Sequence, residues 1–174
     1  MPMNIEIKAR ISDMEVVREK IEKLDIKETS EIIQEDTFYK TDMGRLKLRT
    51  FLQEKGELIY YLRNDSVGPK RSDYIVYKTD DPVTLKLVLD TSLGLRGVVK
   101  KKRQLYIVGN TRIHLDEVEN LGSFLELEVV LNSGQNENEG IAIANDFTKK
   151  LGISKKDLID KAYIDLLEKR KEIK

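Results

Sequence analysis

Basic residues and leucines alternate in Gly44-Arg45-Leu46-Lys47-Leu48-Arg49, and acidic and aliphatic residues alternate in Phe124-Leu125-Glu126-Leu127-Glu128-Val129. The same alternation recurs in Asn4-Ile5-Glu6-Ile7-Lys8 and in Thr111-Arg112-Ile113-His114-Leu115-Asp116. Every second side chain of a β-strand points to the same face, so each stretch predicts a strand with one apolar and one ionic face. What the protein can do depends on whether these ionic faces point to water or to a ligand.

The composition excludes several classes of protein. The chain has 174 residues, which is typical of one domain, and we expect a single domain over residues 1–174. Its 31 basic and 31 acidic residues cancel, so no long-range field attracts nucleic acid or an anionic membrane. The absence of Cys excludes disulfides and thiolate metal sites, and a single His cannot form an imidazole zinc site. With no signal-peptide pattern and no apolar run near the roughly 20 residues of a membrane span, we expect a cytoplasmic protein.

The order of the elements predicts the fold class. Eight strands are expected, at residues 4–9, 32–39, 45–51, 57–64, 72–77, 97–108, 111–118 and 123–131. A helix follows the first strand, another follows the fifth, and further helices follow the last. Because closure removes the edges of a sheet, we expect an α+β fold: a closed eight-stranded antiparallel β-barrel, or tunnel, with helices outside and two pseudo-similar halves.

Capping signals place the starts of the helices. Ser12 with Glu15, and Ser154 with Asp157, form capping boxes that predict the start of the first and of the last helix. Asp81-Pro82 predicts the start of the helix between the two groups of strands.

The ionic faces allow two interpretations. An antiparallel sheet with one face in water also alternates apolar and charged residues, which is the plain alternative for any single strand. Three observations favour an inward orientation for the set. The sign of the charge is sorted by strand, whereas solvated faces usually mix signs. The planar fork of arginine suits phosphate, and helices outside a barrel need apolar sheet surface beneath them.

The predicted lining of the bore carries an excess of positive charge. Its eight basic residues are Lys8, Arg45, Lys47, Arg49, Arg63, Lys101, Arg103 and Arg112, and its four acidic residues are Glu6, Asp116, Glu126 and Glu128. Unpaired charge removed from water costs several kcal/mol per ion, so an excess of four predicts a polyanion as ligand. A triphosphate, with a charge of about −4, has the right size, and Mg²⁺ or Mn²⁺ would bridge its phosphates to the carboxylates.

At these residues the chain resembles the CYTH superfamily, the triphosphate tunnel metalloenzymes. The family signature Glu-x-Glu-x-Lys stands here as Asn4-Ile5-Glu6-Ile7-Lys8. The resemblance continues in order over nearly the whole chain, at residues 44–49, 58–63, 99–103, 111–118, 121–128 and 162–167. The opening stretch and Gly68-Pro69-Lys70-x-Ser72-x-Tyr74 are most similar to the class IV adenylyl cyclase-like branch.

The resemblance implies a role for each residue of the predicted lining. Glu6, Glu126 and Glu128 would hold the metal, with Asp116 as a helper. The phosphate-binding residues would be Lys8, Arg45, Lys47, Arg49, Arg63, Lys101, Arg103 and Arg112. Asn4 departs from the signature, because it removes one charge from the metal side, and it leaves open whether one or two ions bind.

Three functions remain open at this stage. The first is a class IV adenylyl cyclase-like enzyme that converts ATP to cyclic AMP and pyrophosphate, with Glu6, Lys8 and His114 as candidate catalytic residues. His114 is a candidate proton acceptor because the pKa of a free imidazole lies near neutrality, and a hydrogen-bond partner for Glu128 or Asp116, or a base contact, is the alternative. The second is a hydrolase of thiamine triphosphate or inorganic tripolyphosphate. The third is a nucleotide- or polyphosphate-binding module without turnover, for which Asn4 is the reason.

The expected partner is therefore a small molecule that carries a triphosphate. Basic strands interleaved with tyrosines would also suit single-stranded nucleic acid, but Glu126 and Glu128 would repel its backbone. A membrane partner is not expected. The oligomeric state is not fixed by the sequence, which allows a homodimer.

Overall fold

The structure, a computed structural model, describes residues 3–51 and 55–173. Over these residues eight strands and four α-helices follow one another in the predicted order. The strands are β1 Met3–Arg10, β2 Glu28–Tyr39, β3 Arg45–Phe51, β4 Lys55–Arg63, β5 Lys70–Thr79, β6 Leu95–Val108, β7 Thr111–Val118 and β8 Gly122–Val130. The helices are α1 Met14–Ile21, α2 Pro82–Ser92, α3 Glu137–Lys150 and α4 Tyr163–Glu172.

The strands form a closed barrel in the order β1-β5-β4-β3-β2-β6-β7-β8, and every neighbouring pair is antiparallel. The predicted α+β barrel is confirmed. Strand β1 closes it by pairing with β5 on one side and β8 on the other. Strands β2 and β6 pair with each other through the longest ladder of the barrel. This ladder runs from the pair Glu28–Ile107 to the pair Tyr39–Leu95 and has a bulge at Phe38 and Tyr39.

The apolar faces of the alternating strands point outward, as predicted. Ile7 of β1 and Leu127 of β8 pack in one cluster with Ile21, which ends α1, and with Phe147 of α3. Ile7, Leu127 and Ile21 are almost completely shielded from water. Each such side chain contributes about 1.5–3 kcal/mol by leaving water. The main hydrophobic core therefore lies between the barrel and its helices, not inside the barrel.

Helix α4 closes one end of the bore. Tyr163 and Ile164, at its start, pack with Phe38 and Phe124, which lie on the inner faces of β2 and β8. Gly97 on β6 leaves room for this contact, because a Cβ there would lie 2.6 Å from Cδ1 of Ile164.

Two predicted helix starts differ from the structure. Asp13, not Ser12, caps α1, because its carboxylate accepts the backbone N–H of Val16 at 3.1 Å. Ser154 precedes only a short 3₁₀ turn, Lys155–Asp157, and makes no side-chain cap.

The chain after this turn is extended because it binds β1. Leu158 bridges to Ala9, and the N–H of Ile159 donates to the carbonyl of Lys8 at 2.8 Å. The ammonium of Lys70 holds the same segment by donating to the carbonyls of Ile159 and Asp160, at 3.3 and 3.1 Å. Helix α4 begins after this segment, at Tyr163.

None of the helices within residues 3–51 and 55–173 combines the length and the apolarity that crossing a bilayer requires.

Candidate functional site

A cavity of about 270 Å³ lies inside the barrel, and all eight strands contribute to its wall. Among the described residues the wall carries seven basic side chains, Lys8, Lys47, Arg49, Arg63, Lys101, Arg103 and Arg112. It carries five acidic ones, Glu6, Asp36, Glu57, Glu126 and Glu128. The ionic faces of the alternating strands thus converge on an enclosed space, and its wall has a net charge of +2 rather than the expected +4.

Two residues of the predicted lining lie away from the cavity. Arg45 sits at the end of β3 near α4, where it donates to Asp65 and Asp165, each at 2.9 Å. Asp116 is completely buried beneath the cavity wall. Both carry the expected alternation, but α4 occupies the bore at their level.

Two acidic residues of the wall were not expected from the sequence. Asp36 on β2 has acidic neighbours on the outer face, Glu31 and Glu35, so no sorting of sign by face marked it. Glu57 is the third residue of β4 and follows Gly56 in that strand. The one usable signal for Asp36 was its position directly opposite Arg49 in the β2–β3 hairpin.

Asp36 binds both cations of the Lys-x-Arg pair on β3. Its carboxylate accepts Nζ of Lys47 at 2.9 Å, and Nε and Nη2 of Arg49 at 2.8 and 3.1 Å. Burial alone would raise the pKa of Asp36, but Arg49 and Lys47 hold it well below its ordinary value. We call these three residues the β3 clamp.

Asp116 binds the corresponding Lys-x-Arg pair on β6. It accepts Nε and Nη2 of Arg103, both at 2.7 Å, and Nζ of Lys101 at 3.3 Å. The hydroxyl of Tyr163, from α4, donates to the same carboxylate at 2.8 Å. We call Asp116, Lys101 and Arg103 the β6 clamp.

The three remaining carboxylates of the expected metal set each face a cation. Glu126 accepts Nη2 of Arg103 at 3.1 Å and lies 3.6 Å from Nζ of Lys8. Glu6 accepts Nη1 of Arg63 at 3.1 Å. An oxygen of Glu128 lies 3.6 Å from Nη1 of Arg112.

The donors fit a hard divalent cation by their chemistry. Glu6 and Glu128 are directly opposed across β1 and β8, and Glu126 is the next inward residue on β8. Like charges in this arrangement repel, and a cation between them would relieve the repulsion. Carboxylate oxygens are the ligands that Mg²⁺ and Mn²⁺ prefer. Within the part of the chain that the structure describes, no three acidic or imidazole groups stand close enough to form a finished metal site, because each carboxylate is turned toward a basic neighbour.

Burial shifts the protonation of the basic groups. Desolvation, and then the charge of Arg103, lowers the pKa of Lys101 to about 7, although Asp116 opposes the shift. Desolvation also lowers the pKa of Lys8, against the attraction of Glu126. For His114, desolvation and Arg103 lower the pKa to about 4, so its imidazole is neutral near pH 7. Its Nδ1 is buried without a hydrogen-bond partner among the described residues and lies 3.9 Å from Glu128.

The end of the cavity away from α4 is apolar over three adjacent strands. Ile32 of β2, Phe51 of β3 and Leu105 of β6 line the cavity toward this end, and so does Val76 of β5. By their register these side chains are diagonal neighbours, close enough for an aromatic ring to bridge. The bore therefore changes from ionic near α4 to partly apolar at the opposite end.

Comparisons with known proteins agree with this architecture. Residues 2–163 match the family model described as "CYTH domain". A Methanocaldococcus jannaschii protein named "putative adenylate cyclase" is 28% identical over 179 residues, which cover 94% of this chain and 98% of that protein. A solved structure from Pyrococcus horikoshii is 29% identical with a TM-score of 0.82, covering 94% of this chain and 98% of its own.

A more distant structure, from Hippeastrum, is described as a "putative adenylyl cyclase" with a dominant triphosphatase activity. It is 17% identical, with a TM-score of 0.66 and 95% of each chain covered, which shows a shared fold alone. The family match spans nearly the whole sequence, in agreement with the closed eight-stranded barrel and its charged bore. This chain therefore belongs to the CYTH family.

Proposed function

We propose that the protein is a metal-dependent enzyme that acts on a triphosphate bound in the bore, and that its reaction is the class IV adenylyl cyclase-like conversion of ATP to cyclic AMP and pyrophosphate. The observation that carries the proposal is the convergence of seven basic side chains and three of the expected metal-binding carboxylates on one cavity. Membership of a family of triphosphate-processing enzymes supports it.

The phosphates would bind to cations from both halves of the barrel. Lys47 and Arg49 come from β3, Arg63 from β4, and Lys101 and Arg103 from β6. Lys8 and Arg112 complete the set. Charge-assisted hydrogen bonds from such groups hold phosphate oxygens strongly, and fixed donors stabilise the charge that develops on a leaving pyrophosphate. Arg45 and Asp116 are not included in this set, since neither lines the cavity.

Glu6, Glu126 and Glu128 would hold the divalent metal ion. Such an ion, when bound, neutralises phosphate charge and lowers the pKa of a coordinated hydroxyl or water. Members of the family generally depend on one. Asn4 adds a neutral amide whose Oδ1 is buried without a partner among the described residues.

In the cyclase reaction the ribose 3′-oxygen forms a bond to the α-phosphorus, and the bond from that phosphorus to the pyrophosphate oxygen breaks. The proton of the 3′-hydroxyl needs an acceptor. His114 is the candidate acceptor, because its imidazole is neutral and Nδ1 is without a hydrogen-bond partner among the described residues, although desolvation lowers its pKa to about 4 and thereby weakens it as a base. Lys8 lies between Glu126 and the ring of Tyr163, at 3.6 Å from each, and would bind the phosphates nearest α4.

The apolar end of the cavity supports an organic triphosphate over inorganic tripolyphosphate. Ile32, Phe51 and Leu105 offer a surface for a base or another ring, while the phosphates lie among the cations nearer α4. Inorganic tripolyphosphate would leave this surface unused.

Hydrolysis of the terminal phosphate is the second candidate. The same cations and carboxylates would serve a water nucleophile. The Hippeastrum protein, which has the same fold, is described both as a "putative adenylyl cyclase" and as having a dominant triphosphatase activity. A binding module without turnover is the third, because Asn4 replaces the first Glu of the signature.

One panel separates these functions. ATP, thiamine triphosphate and tripolyphosphate are each incubated with Mg²⁺ or Mn²⁺, and cyclic AMP, pyrophosphate and phosphate are measured separately. Cyclic AMP from ATP is the expected result. Phosphate without cyclic AMP would assign a hydrolase, and tight binding without any product would assign a binding module.

The variant Glu126→Gln tests the metal assignment. We expect metal-dependent turnover to fall by at least about 100-fold, since the loss of a group that only orients a metal ligand already costs about 10–100-fold. Binding of Mn²⁺, followed by electron paramagnetic resonance, should weaken in parallel. The control is Glu117→Gln, on the outer face of β7, which should change neither. Unchanged Mn²⁺ binding in Glu126→Gln would remove this residue from the metal site.

A further inference from the structure

Asp36 is the only member of the β3 clamp that cannot itself bind phosphate. It is buried and lies on the wall of the cavity, between the cations of β3 and Lys101 of β6. The proposed function gives it no role, and a carboxylate among phosphate-binding cations repels the ligand. Its place therefore needs an explanation.

The geometry of the clamp shows which donors Asp36 occupies and which it leaves. Its carboxylate accepts hydrogen bonds from Nε and Nη2 of Arg49 and one hydrogen bond from Nζ of Lys47. Within the described residues, Nη1 of Arg49 and the other two protons of Lys47 have no partner, and both side chains line the cavity. One edge of the guanidinium is thus fixed while the other faces the bore.

The charge of Asp36 also bears on the charge state of Lys47. Four ionisable groups surround Lys47: Asp36 on β2, Arg49 on β3, Tyr61 on β4, whose ring centre lies 5.6 Å from Nζ, and Glu126 on β8. Desolvation and the charge of Arg49 lower the pKa of Lys47, and Asp36 is the strongest opposing group. The phenol of Tyr61 is neutral, because burial raises its pKa.

From this arrangement we infer that Asp36 is a positioning residue of the triphosphate site: it keeps Lys47 charged and holds Lys47 and Arg49 with their free N–H groups toward the ligand. The inference rests on the proposed function. Phosphate then meets two cations that are already oriented, which is how a buried second layer of groups supports a binding site. The alternative role is that of a competitor, whose removal would strengthen binding.

The test is the pH dependence of binding of ATP and of tripolyphosphate, without metal, by calorimetry between pH 6 and 9. In Asp36→Asn, Lys47 loses its proton at a lower pH than in the unaltered protein. Anion binding must then restore that proton, so the affinity relative to the unaltered protein should fall as the pH rises, by at most tenfold per pH unit for one proton. Adding Lys47→Met should abolish this extra dependence.

Two matched variants serve as controls. Glu35→Gln removes the same charge one residue earlier, on the outer face of β2, and should leave binding unchanged at every pH. Asp36→Glu keeps the charge and should keep the pH profile of the unaltered protein even if its affinity differs. This variant also decides the matter if Asp36→Asn does not fold, because a changed profile in it would contradict the inference.

The remaining outcomes are distinct. Tighter binding by Asp36→Asn, or a loss that is the same at every pH, would overturn the positioning role while leaving the triphosphate site intact. Failure of the unaltered protein to bind either anion would instead overturn the proposed function, and the inference with it.

Discussion

The β3 and β6 clamps contain the same three kinds of side chain and differ in what covers them. In each clamp, a buried aspartate accepts hydrogen bonds from a lysine and an arginine of the neighbouring strand, and the arginine is two residues after the lysine. The aspartate is paired directly with that arginine across the two strands. The side chains of Lys47 and Arg49 remain 13% and 15% exposed, whereas those of Lys101 and Arg103 are 3% and 5% exposed.

The difference comes from α4. Tyr163 covers the β6 clamp, and its hydroxyl donates a hydrogen bond to Asp116 in addition to those from Lys101 and Arg103. The β3 clamp faces the cavity without such a cover. The cations of both clamps line the cavity, but those of the β6 clamp are shielded by α4 and those of the β3 clamp are more open to the bore. Burial, rather than residue type, therefore distinguishes the two clamps.

The largest expected difference between the two clamps is in the free energy of unfolding. Asp116→Asn should lower the free energy of unfolding by about 3–5 kcal/mol, because Lys101 and Arg103, both desolvated, lose the carboxylate that binds them both. Asp36→Asn should cost clearly less, since water in the cavity can reach Lys47 and Arg49. Urea denaturation measures both, and equal losses would show that the clamps do not differ.

A smaller effect isolates the contribution of α4. Tyr163→Phe removes only the hydroxyl that donates to Asp116, and hydrogen bonds to buried charged groups contribute about 2 kcal/mol. We expect a loss of that size in the free energy of unfolding. Tyr61→Phe, on the opposite wall of the cavity and without a hydrogen bond to either aspartate, should show no comparable loss.

The smallest effect is a dependence on pH. Lys101 has a pKa of about 7, so its positive charge is present below this pH and lost above it. Without metal, the affinity for ATP should fall above about pH 7, by at most tenfold per pH unit for one proton. In Lys101→Met this step should disappear, with weaker binding at low pH; a step that persists would assign the titration to another group.

The same shift has a consequence for stability. Between about pH 7 and the ordinary value of 10.5, folded Lys101 holds fewer protons than it does in the unfolded chain. Its contribution to the free energy of unfolding therefore rises with pH over this window. Lys101→Met should flatten that rise.

The barrel and most of its lining could be predicted because charge is sorted by strand. In β3, Lys47 and Arg49 share one face and leucines the other, and in β8 Glu126 and Glu128 do the same. A period of two leaves only two orientations for each strand, and the need of the helices for apolar surface selects one.

Other features could not be predicted because they depend on contacts between distant segments. Asp36 lies in a strand with acidic residues on both faces, so its inward position follows from pairing with β3 and β6. Arg45 has the same inward parity as Lys47, but α4 comes to its end of the strand. Ser154 has a good capping pattern, yet the chain after it binds the backbone of β1 instead of continuing as a helix.

Because α4 closes one end of the bore, a ligand can enter and leave only through the opposite end. A molecule that enters with its phosphates toward Tyr163 has to leave through the same open end. The organic product would leave first, and the pyrophosphate held deepest among the cations would leave last. For the proposed reaction, release of the inorganic product from Lys8, Lys101 and Arg63 would then limit the rate of turnover.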